Sequence, residues 1–287
     1  MEYTILDLEW NSAYAPKIGG YLNEIIQFGA VRLDSHLQVI DTYDTFVRPQ
    51  TGRITRLVTE LTNITDDDVK NGRLFMDAFR RFCRFAQDSV ILTWSDGDLR
   101  ELIHNYRYYT GKIELPLRAQ YADLQEYCQS RLPALPGGRQ LGLADAAVQL
   151  GLDPEAFALH RAIDDSLLSA ECLRCTFDEA ELARRIIPMD TRLYQRLTFK
   201  ARFITDRRDP LIDPAQFEFV CPLCGGELAG KEDWGLHNRQ FFRRFTCRAC
   251  GKKLKARVQF KEKFEGVQVK RSIQEDLPKP APAEAEA

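Results

Sequence analysis

Tyr3-Thr4-Ile5-Leu6-Asp7-Leu8-Glu9-Trp10 is the stretch on which the fold turns. Its β-branched and aromatic residues predict a strand over about residues 2–10. Residues two apart on a strand share a face, so Asp7 and Glu9 project together while Leu6, Leu8 and Trp10 turn the other way. Two carboxylates held side by side repel each other. A hard cation is the usual compensation, because Mg²⁺ and Mn²⁺ take oxygen ligands and keep waters for substrate phosphates. By itself the pair also fits a solvated strand edge, so its meaning depends on what else the chain brings to it.

Two later segments supply that context. Ser89-Val90-Ile91-Leu92-Thr93-Trp94 is a short apolar run that predicts a buried strand, and helical spacing follows over about 98–109. Between them stands Ser95-Asp96-Gly97-Asp98. A carboxylate where a strand passes into a helix lies at the C-terminal end of a sheet, where open α/β sheets place their sites. One of the two aspartates suits the helix cap, and Asp98 is assigned to the site. Farther on, a helix over about 140–150 closes at Gly151, and His160 precedes a helix expected over about 162–183. His160 and Asp165 are spaced as a loop histidine and a first-turn carboxylate facing one cleft. An imidazole titrates near neutrality and can take a proton from a cation-bound water.

Cys221-Pro222-Leu223-Cys224 and Cys247-Arg248-Ala249-Cys250 form a second constellation, two Cys-x-x-Cys knuckles separated by 22 residues. Each is followed by glycine, which suits a tight turn aiming both sulfurs at one ion. Four thiolates at this spacing predict one tetrahedral, structural Zn²⁺ in a zinc ribbon, with no position left for water. Two copies without a βαβ pattern exclude the thioredoxin-like reading. Cys83, Cys128, Cys172 and Cys175 read as packing residues.

The first constellation resembles the DEDDh family of 3′-to-5′ exonucleases. Asp7-Leu8-Glu9 match its first motif, followed by the strand Glu24-Ile25-Ile26-Gln27-Phe28-Gly29-Ala30-Val31; Asp98 matches the second motif, and His160 with Asp165 the third. The similarity covers roughly residues 1–180. Trp94-Ser95-Asp96-Gly97-Asp98 and Gly142-Leu143-Ala144-Asp145 are most similar to the Eri-type, RNA-trimming branch. The resemblance implies a ribonuclease-H-like fold, a mixed sheet flanked by helices. It also implies two Mg²⁺ or Mn²⁺ held by Asp7, Glu9, Asp98 and Asp165, with His160 as general base. The implied activity is release of nucleoside 5′-monophosphates from the 3′ end of single-stranded nucleic acid, RNA favoured over DNA.

The net charge of −2 over 287 residues hides an asymmetry. Residues 1–190 hold 20 Lys+Arg against 29 Asp+Glu, and residues 191–287 hold 20 against 13. In the basic half, Arg239, Arg243, Arg244, Lys252, Lys253 and Lys255 interleave with Phe241, Phe242 and Phe245. Cations that track phosphates and rings that stack on bases suit single-stranded nucleic acid. The alternatives are a non-catalytic adaptor binding nucleic acid through the ribbon, and a ribbon that docks a protein. No apolar run approaches a membrane span, and Met1 leads straight into the first strand without a signal-peptide pattern, so a cytoplasmic location is expected.

The expected organisation is an exonuclease domain over 1–183, a linking segment over 184–218, and the ribbon with following strands over 219–271. A disordered tail is expected over 272–287. Within the first domain, strands are expected at 24–34 and 38–48, an amphipathic helix from Leu74 to Phe85, and a further helix at 120–131. Gly19-Gly20 predicts a flexible loop between the first two strands.

Overall fold

A computed structural model describes residues 1–133, 139–157 and 160–276. Most of the tail expected over 272–287 lies outside the described residues, but residues 272–275 are not disordered and pair in a strand with residues 254–257. Contacts divide the chain into two compact units, Met1–Thr198 and Phe199–Ala287.

In the first unit, β1 (Tyr3–Ala15), β2 (Gly20–Leu33) and β3 (Val39–Phe46) form an antiparallel meander. On the other side of β1 the sheet continues in parallel through β4 (Val90–Thr93) and β5 (Gln120–Asp123), and β6 (Ile187–Pro188) closes it antiparallel to β5. The strand order is β3-β2-β1-β4-β5-β6. The helices are α1 (Arg56–Thr62), α2 (Asp66–Val69), α3 (Phe75–Phe85), α4 (Gly97–Thr110), α5 (Leu124–Arg131), α6 (Leu143–Gln149), α7 (Ala162–Thr176), α8 (Glu179–Ala183) and α9 (Thr191–Thr198). The alternation along β1 and β2 sorts them into two layers. Leu6, Leu8, Phe28 and Ala30 pack against α3, α4 and α9 through Phe79, Phe82, Leu102 and Leu193. Tyr3, Ile5, Val31 and Leu33 pack against α5, α6 and α7 through Tyr127, Ala146 and Leu168. The mixed sheet flanked by helices is the expected ribonuclease-H-like architecture.

Several local expectations are corrected. Residues 120–131 are not one helix: Gln120–Asp123 pair with β4, and α5 starts only at Leu124. Asp123 decides this, because its side chain caps the helix by accepting from the Glu126 N–H at 2.9 Å. The helix expected over 162–183 breaks at Phe177, whose backbone is extended, and Asp178 caps the separate α8. The link expected as a Gly19-Gly20 loop is a short 3-10 turn, Pro16–Ile18, with β1 and β2 paired up to Ala15 and Gly20 on either side of it. Gly19 closes that turn at φ +59. Residues 191–198, read as part of the linking segment, form α9, whose Leu193, Tyr194 and Leu197 are buried in the first unit's core.

The second unit contains β7 (Arg202–Ile204), β8 (Leu228–Ala229), β9 (Gly235–His237), β10 (Gln240–Cys247), β11 (Lys253–Lys263) and β12 (Gly266–Glu275). Their order is β12-β11-β10-β8, with β7 added to β11 and β9 to β10. Phe241, Val258 and Phe260 form one small core and Phe245, Leu254 and Ala256 another beside the cysteines. Among the described residues, no helix is long and apolar enough to cross a membrane.

Candidate functional site

Asp7 and Glu9 share the β1 face that looks toward α7, because their antiparallel partners on β2 are Gly29 and Gln27. Gly29 governs how close α7 comes. A Cβ built there would lie 2.0 Å from the carbonyl carbon of Ala162 and 2.2 Å from the nitrogen of Ile163. The first turn of α7 therefore rests directly on the bare backbone of β2, and Ser166 Oγ donates to the Gly29 carbonyl at 2.9 Å. Since Gly29 is Asp7's partner in the sheet, this approach delivers Asp165 to the same place. One carboxylate oxygen from each of Asp7, Glu9 and Asp165 lies within 4.8 Å of the others.

Asp98 arrives from the opposite layer, in the first turn of α4. β4 ends its pairing with β1 at Ile5, and Asp98 Oδ1 accepts from the Leu8 N–H beyond it at 3.1 Å. This bond satisfies a buried backbone donor and fixes the carboxylate beside Asp7. Neighbouring Asp96 is held away by an ion pair with Arg100 at 2.6 Å. His160 precedes α7 at φ +65, and its N–H donates to Asp165 Oδ2 at 3.1 Å. Asp7, Glu9, Asp98 and Asp165 thus meet beside the middle of β1, and the backbone of His160 bonds to the cluster. Gly29, Ser166 and Arg161 were not assigned, although Arg161's charge opposes that of Glu9 and its guanidinium lies 5.2 Å from the Phe46 ring centroid. A glycine inside an apolar strand is the signal that could have marked Gly29.

Burial is the main cause of a raised pKa at every carboxylate here, and the neighbouring charges add to it at Asp7, Glu9 and Asp98. Asp7 is pushed well above the usual carboxylate range by burial and then by Asp98, Asp165 and Glu9. Glu9 rises to about 8 through burial and then Asp165 and Asp98. Asp98 rises to about 7 through burial, against the opposing Leu8 hydrogen bond. Asp165 is raised by burial, opposed by the His160 N–H. Carboxylates this crowded, with so little opposing charge, suit a divalent cation. Folded-state pKa values above the unfolded ones bind extra protons in the native protein, so stability falls as pH rises from about 4 toward about 8. The melting temperature measured without added Mg²⁺ should therefore decline from pH 5 to pH 8. Added Mg²⁺ should restore it most at the upper end, where the carboxylates are ionised. A flat profile in scanning calorimetry would show that the cluster carries no such strain.

In the second unit, Cys221 Sγ lies 3.8 Å from Cys250 Sγ, and Cys224 Sγ lies 3.5 Å from Cys247 Sγ. Four sulfurs about 2.3 Å from a common tetrahedral centre would stand about 3.8 Å apart, whereas a disulfide needs about 2.05 Å. The donor set fits zinc. Two matching knuckles present the sulfurs: Gly225 N–H donates to the Cys221 carbonyl at 2.9 Å and Gly251 N–H to the Cys247 carbonyl at 3.0 Å, both glycines at positive φ.

The basic residues assigned here divide. Arg243 turns inward, its Nη2 donating to the Gly230 carbonyl at 3.2 Å, and Lys252 pairs with Glu275 at 3.2 Å. Arg244, Lys253 and Lys255 lie on the outer sheet face, with Arg239 in the turn leading into β10. Arg244 also pairs with Asp276 at 2.8 Å.

The sequence model of the Exonuclease family (RNase_T) matches residues 2–173. Curated relatives include the DNA polymerase III PolC-type of Thermotoga maritima, 30% identical over 171 residues, which are 59% of this chain and 11% of that protein. The Clostridium perfringens protein of the same description is 28% identical over 180 residues, 61% of this chain and 11% of that protein. The chain therefore spans about a tenth of the length of these relatives. Among solved structures, a full-length 3′-exonuclease is similar with a TM-score of 0.49 at 17% identity, over 66% of this chain and 67% of that one. With the match running from β1 into α7 and so containing every carboxylate of the cluster, the chain belongs to the Exonuclease family.

Proposed function

We propose that the chain is a metal-dependent 3′-to-5′ exonuclease of the DEDDh type, releasing nucleoside 5′-monophosphates from single-stranded nucleic acid. The observation that carries this reading is the convergence of Asp7, Glu9 and Asp165 within 4.8 Å, with Asp98 and His160 beside them. Asp7, Glu9 and Asp165 would hold Mg²⁺ or Mn²⁺ directly, and Asp98 directly or through water. When bound, such cations supply Lewis-acid polarisation of the phosphate and stabilise charge on the attacking and leaving oxygens. His160 takes the proton from the attacking water, and its backbone bond to Asp165 holds it beside the cluster. The burial of Asp98 and Asp165 limits competing water and strengthens the field that the reacting phosphate meets.

Preference for RNA rests on the likeness of 94–98 and 142–145 to the Eri-type branch. The PolC-type relatives are DNA polymerases by description, which favours DNA. The four cysteines would hold one structural Zn²⁺ as a zinc ribbon, and the second unit would contact the substrate strand. A cytoplasmic location suits both reduced thiols and a nucleic-acid substrate.

The test is incubation of the full chain with 5′-labelled RNA and DNA oligomers, with Mg²⁺ or Mn²⁺ and without. A ladder shortening from the 3′ end only when the cation is added is expected. Shortening from the 5′ end, internal cuts, or no cleavage of either polymer would overturn the reading.

A further inference from the structure

The sheet of the second unit has two unlike faces. Along β11, Leu254, Ala256, Val258 and Phe260 are fully buried, while Lys253, Lys255, Arg257 and Lys261 alternate with them on the other face and reach solvent. The same face carries Lys270 on β12 and Phe242 on β10, paired in register with β11. The strand positions that alternate onto it from β10, β11 and β12 include no Asp or Glu. Of the acids at neighbouring positions, Glu262 pairs with Arg202 and Glu275 with Lys252, and Asp276, just past β12, pairs with Arg244 on this face. Among the described residues, none of Lys253, Lys255, Arg257, Lys261 and Lys270 has an ion-pair partner.

Two aromatic rings stand on this cationic face and belong to neither core cluster. Phe242 packs over Gly235, where a Cβ would come within 2.9 Å of the ring, and Lys255 Nζ is 5.0 Å from its centroid. Phe203 on β7 has Arg239 and Lys261 at 5.2 and 5.3 Å from its centroid. Phe242 pairs with Arg257 and Phe203 with Lys261, so the rings are four β11 residues apart. At about 3.3 Å per residue that is about 13 Å, room for each ring to take a separate base.

The turn between β9 and β10 adds an independent sign. Asn238 and Arg239 have φ +47 and +58, the two-residue hairpin turn that favours glycine at its second position. Arginine there is strained, yet it places a guanidinium over Phe203.

Resting on the nuclease reading above, we propose that this open face binds single-stranded nucleic acid without regard to sequence, with Phe203 and Phe242 stacking on bases and Arg239, Lys255, Arg257 and Lys261 contacting phosphates. Stacking needs only a base's π-face and phosphate contact only its charge, so neither selects a sequence.

The experiment uses the full chain carrying Asp7→Asn, so that bound strands survive, and measures fluorescence anisotropy with labelled single strands of about 20 nucleotides and with a duplex of equal length. Phe203→Ala and Phe242→Ala should each weaken single-strand binding about 10-fold. Lys255→Gln with Arg257→Gln should lower the slope of log affinity against log salt by about 1.4, two phosphate contacts' worth. Arg239→Gly relaxes the turn yet should weaken binding. Arg208→Gln, outside this face, is the charge control. Zinc content and circular dichroism confirm that each variant is folded. Unchanged affinity in the folded Phe and Lys/Arg variants, or a duplex bound as tightly as the single strand, would overturn the proposal. Retained binding to a protein with no affinity for either polymer would overturn it too. Affinity is read without turnover, so absence of a 3′ ladder would remove the nuclease reading and still leave this face decided.

Discussion

Asp7→Asn is expected to reduce turnover by at least about 10³-fold and, in the same protein, to raise the melting temperature measured at pH 8 without added Mg²⁺. The two effects have one cause. Asp7 is held well above the usual carboxylate range, its charged form disfavoured first by burial and then by Asp98, Asp165 and Glu9. Asparagine keeps the shape and removes the charge, so the folded chain no longer holds that repulsion. The chemistry needs the charge, because a neutral amide is a poor ligand for a hard cation and several kcal/mol of transition-state stabilisation depend on that ligand. A site kept for function at a cost in stability behaves in this way. Binding of single strands should survive, which separates an exonuclease from an adaptor that works through its second unit. Turnover within tenfold of the unmodified chain would remove Asp7 from the cation site, and a lowered melting temperature would show that the cluster is not under charge strain.

The grouping of the candidate site's carboxylates was more legible in the sequence than the elements around them, and the reason is physical. Asp7 and Glu9 are fixed relative to each other by strand periodicity, which is local and readable. Asp98 was legible because a buried strand passing straight into a helix leaves few places for its first-turn carboxylate. The grouping of the four cysteines was legible because two Cys-x-x-Cys knuckles have the spacing that a tetrahedral ion would require. The boundary at Asp123 was missed because four strand residues run into a helix with no glycine or proline between them, and only the cap at Glu126 N–H marks the change. The inward turn of Arg243 was missed for a related reason. A run of basic residues shows charge and hides which face each occupies, and pairing with β11 is a long-range property. Phe203, 39 positions before Phe242, could not have been placed beside the basic strands without the β7–β11 pairing.

Gly29→Ala is expected to be the most disruptive single-methyl change in the first unit, because what it meets is backbone. A Cβ at position 29 would lie 2.0 to 2.3 Å from the carbonyl carbon, the following nitrogen and the oxygen of the Ala162–Ile163 peptide, and no side-chain rotation relieves that overlap. The first turn of α7 must move off the sheet, breaking the Ser166–Gly29 hydrogen bond and loosening Leu168 in its core. Overpacking typically costs about 1–3 kcal/mol, and a clash against backbone belongs at or above the upper end. For a chain of this size that corresponds to roughly 10 °C in melting temperature. The shift also carries Asp165 away from Asp7 and Glu9, so stabilisation by Mg²⁺ should shrink along with turnover. Gly20→Ala is the comparison, since its added methyl would have only the Ile18 carbonyl oxygen, at 3.9 Å, within reach. It should leave stability within about 0.5 kcal/mol and the Mg²⁺ response intact. If Gly29→Ala melts within two or three degrees of the unmodified chain and responds to Mg²⁺ as before, the close approach of α7 to β2 is not what assembles the carboxylates. Their convergence would then need another explanation, with α4 and the Leu8–Asp98 bond the remaining candidates.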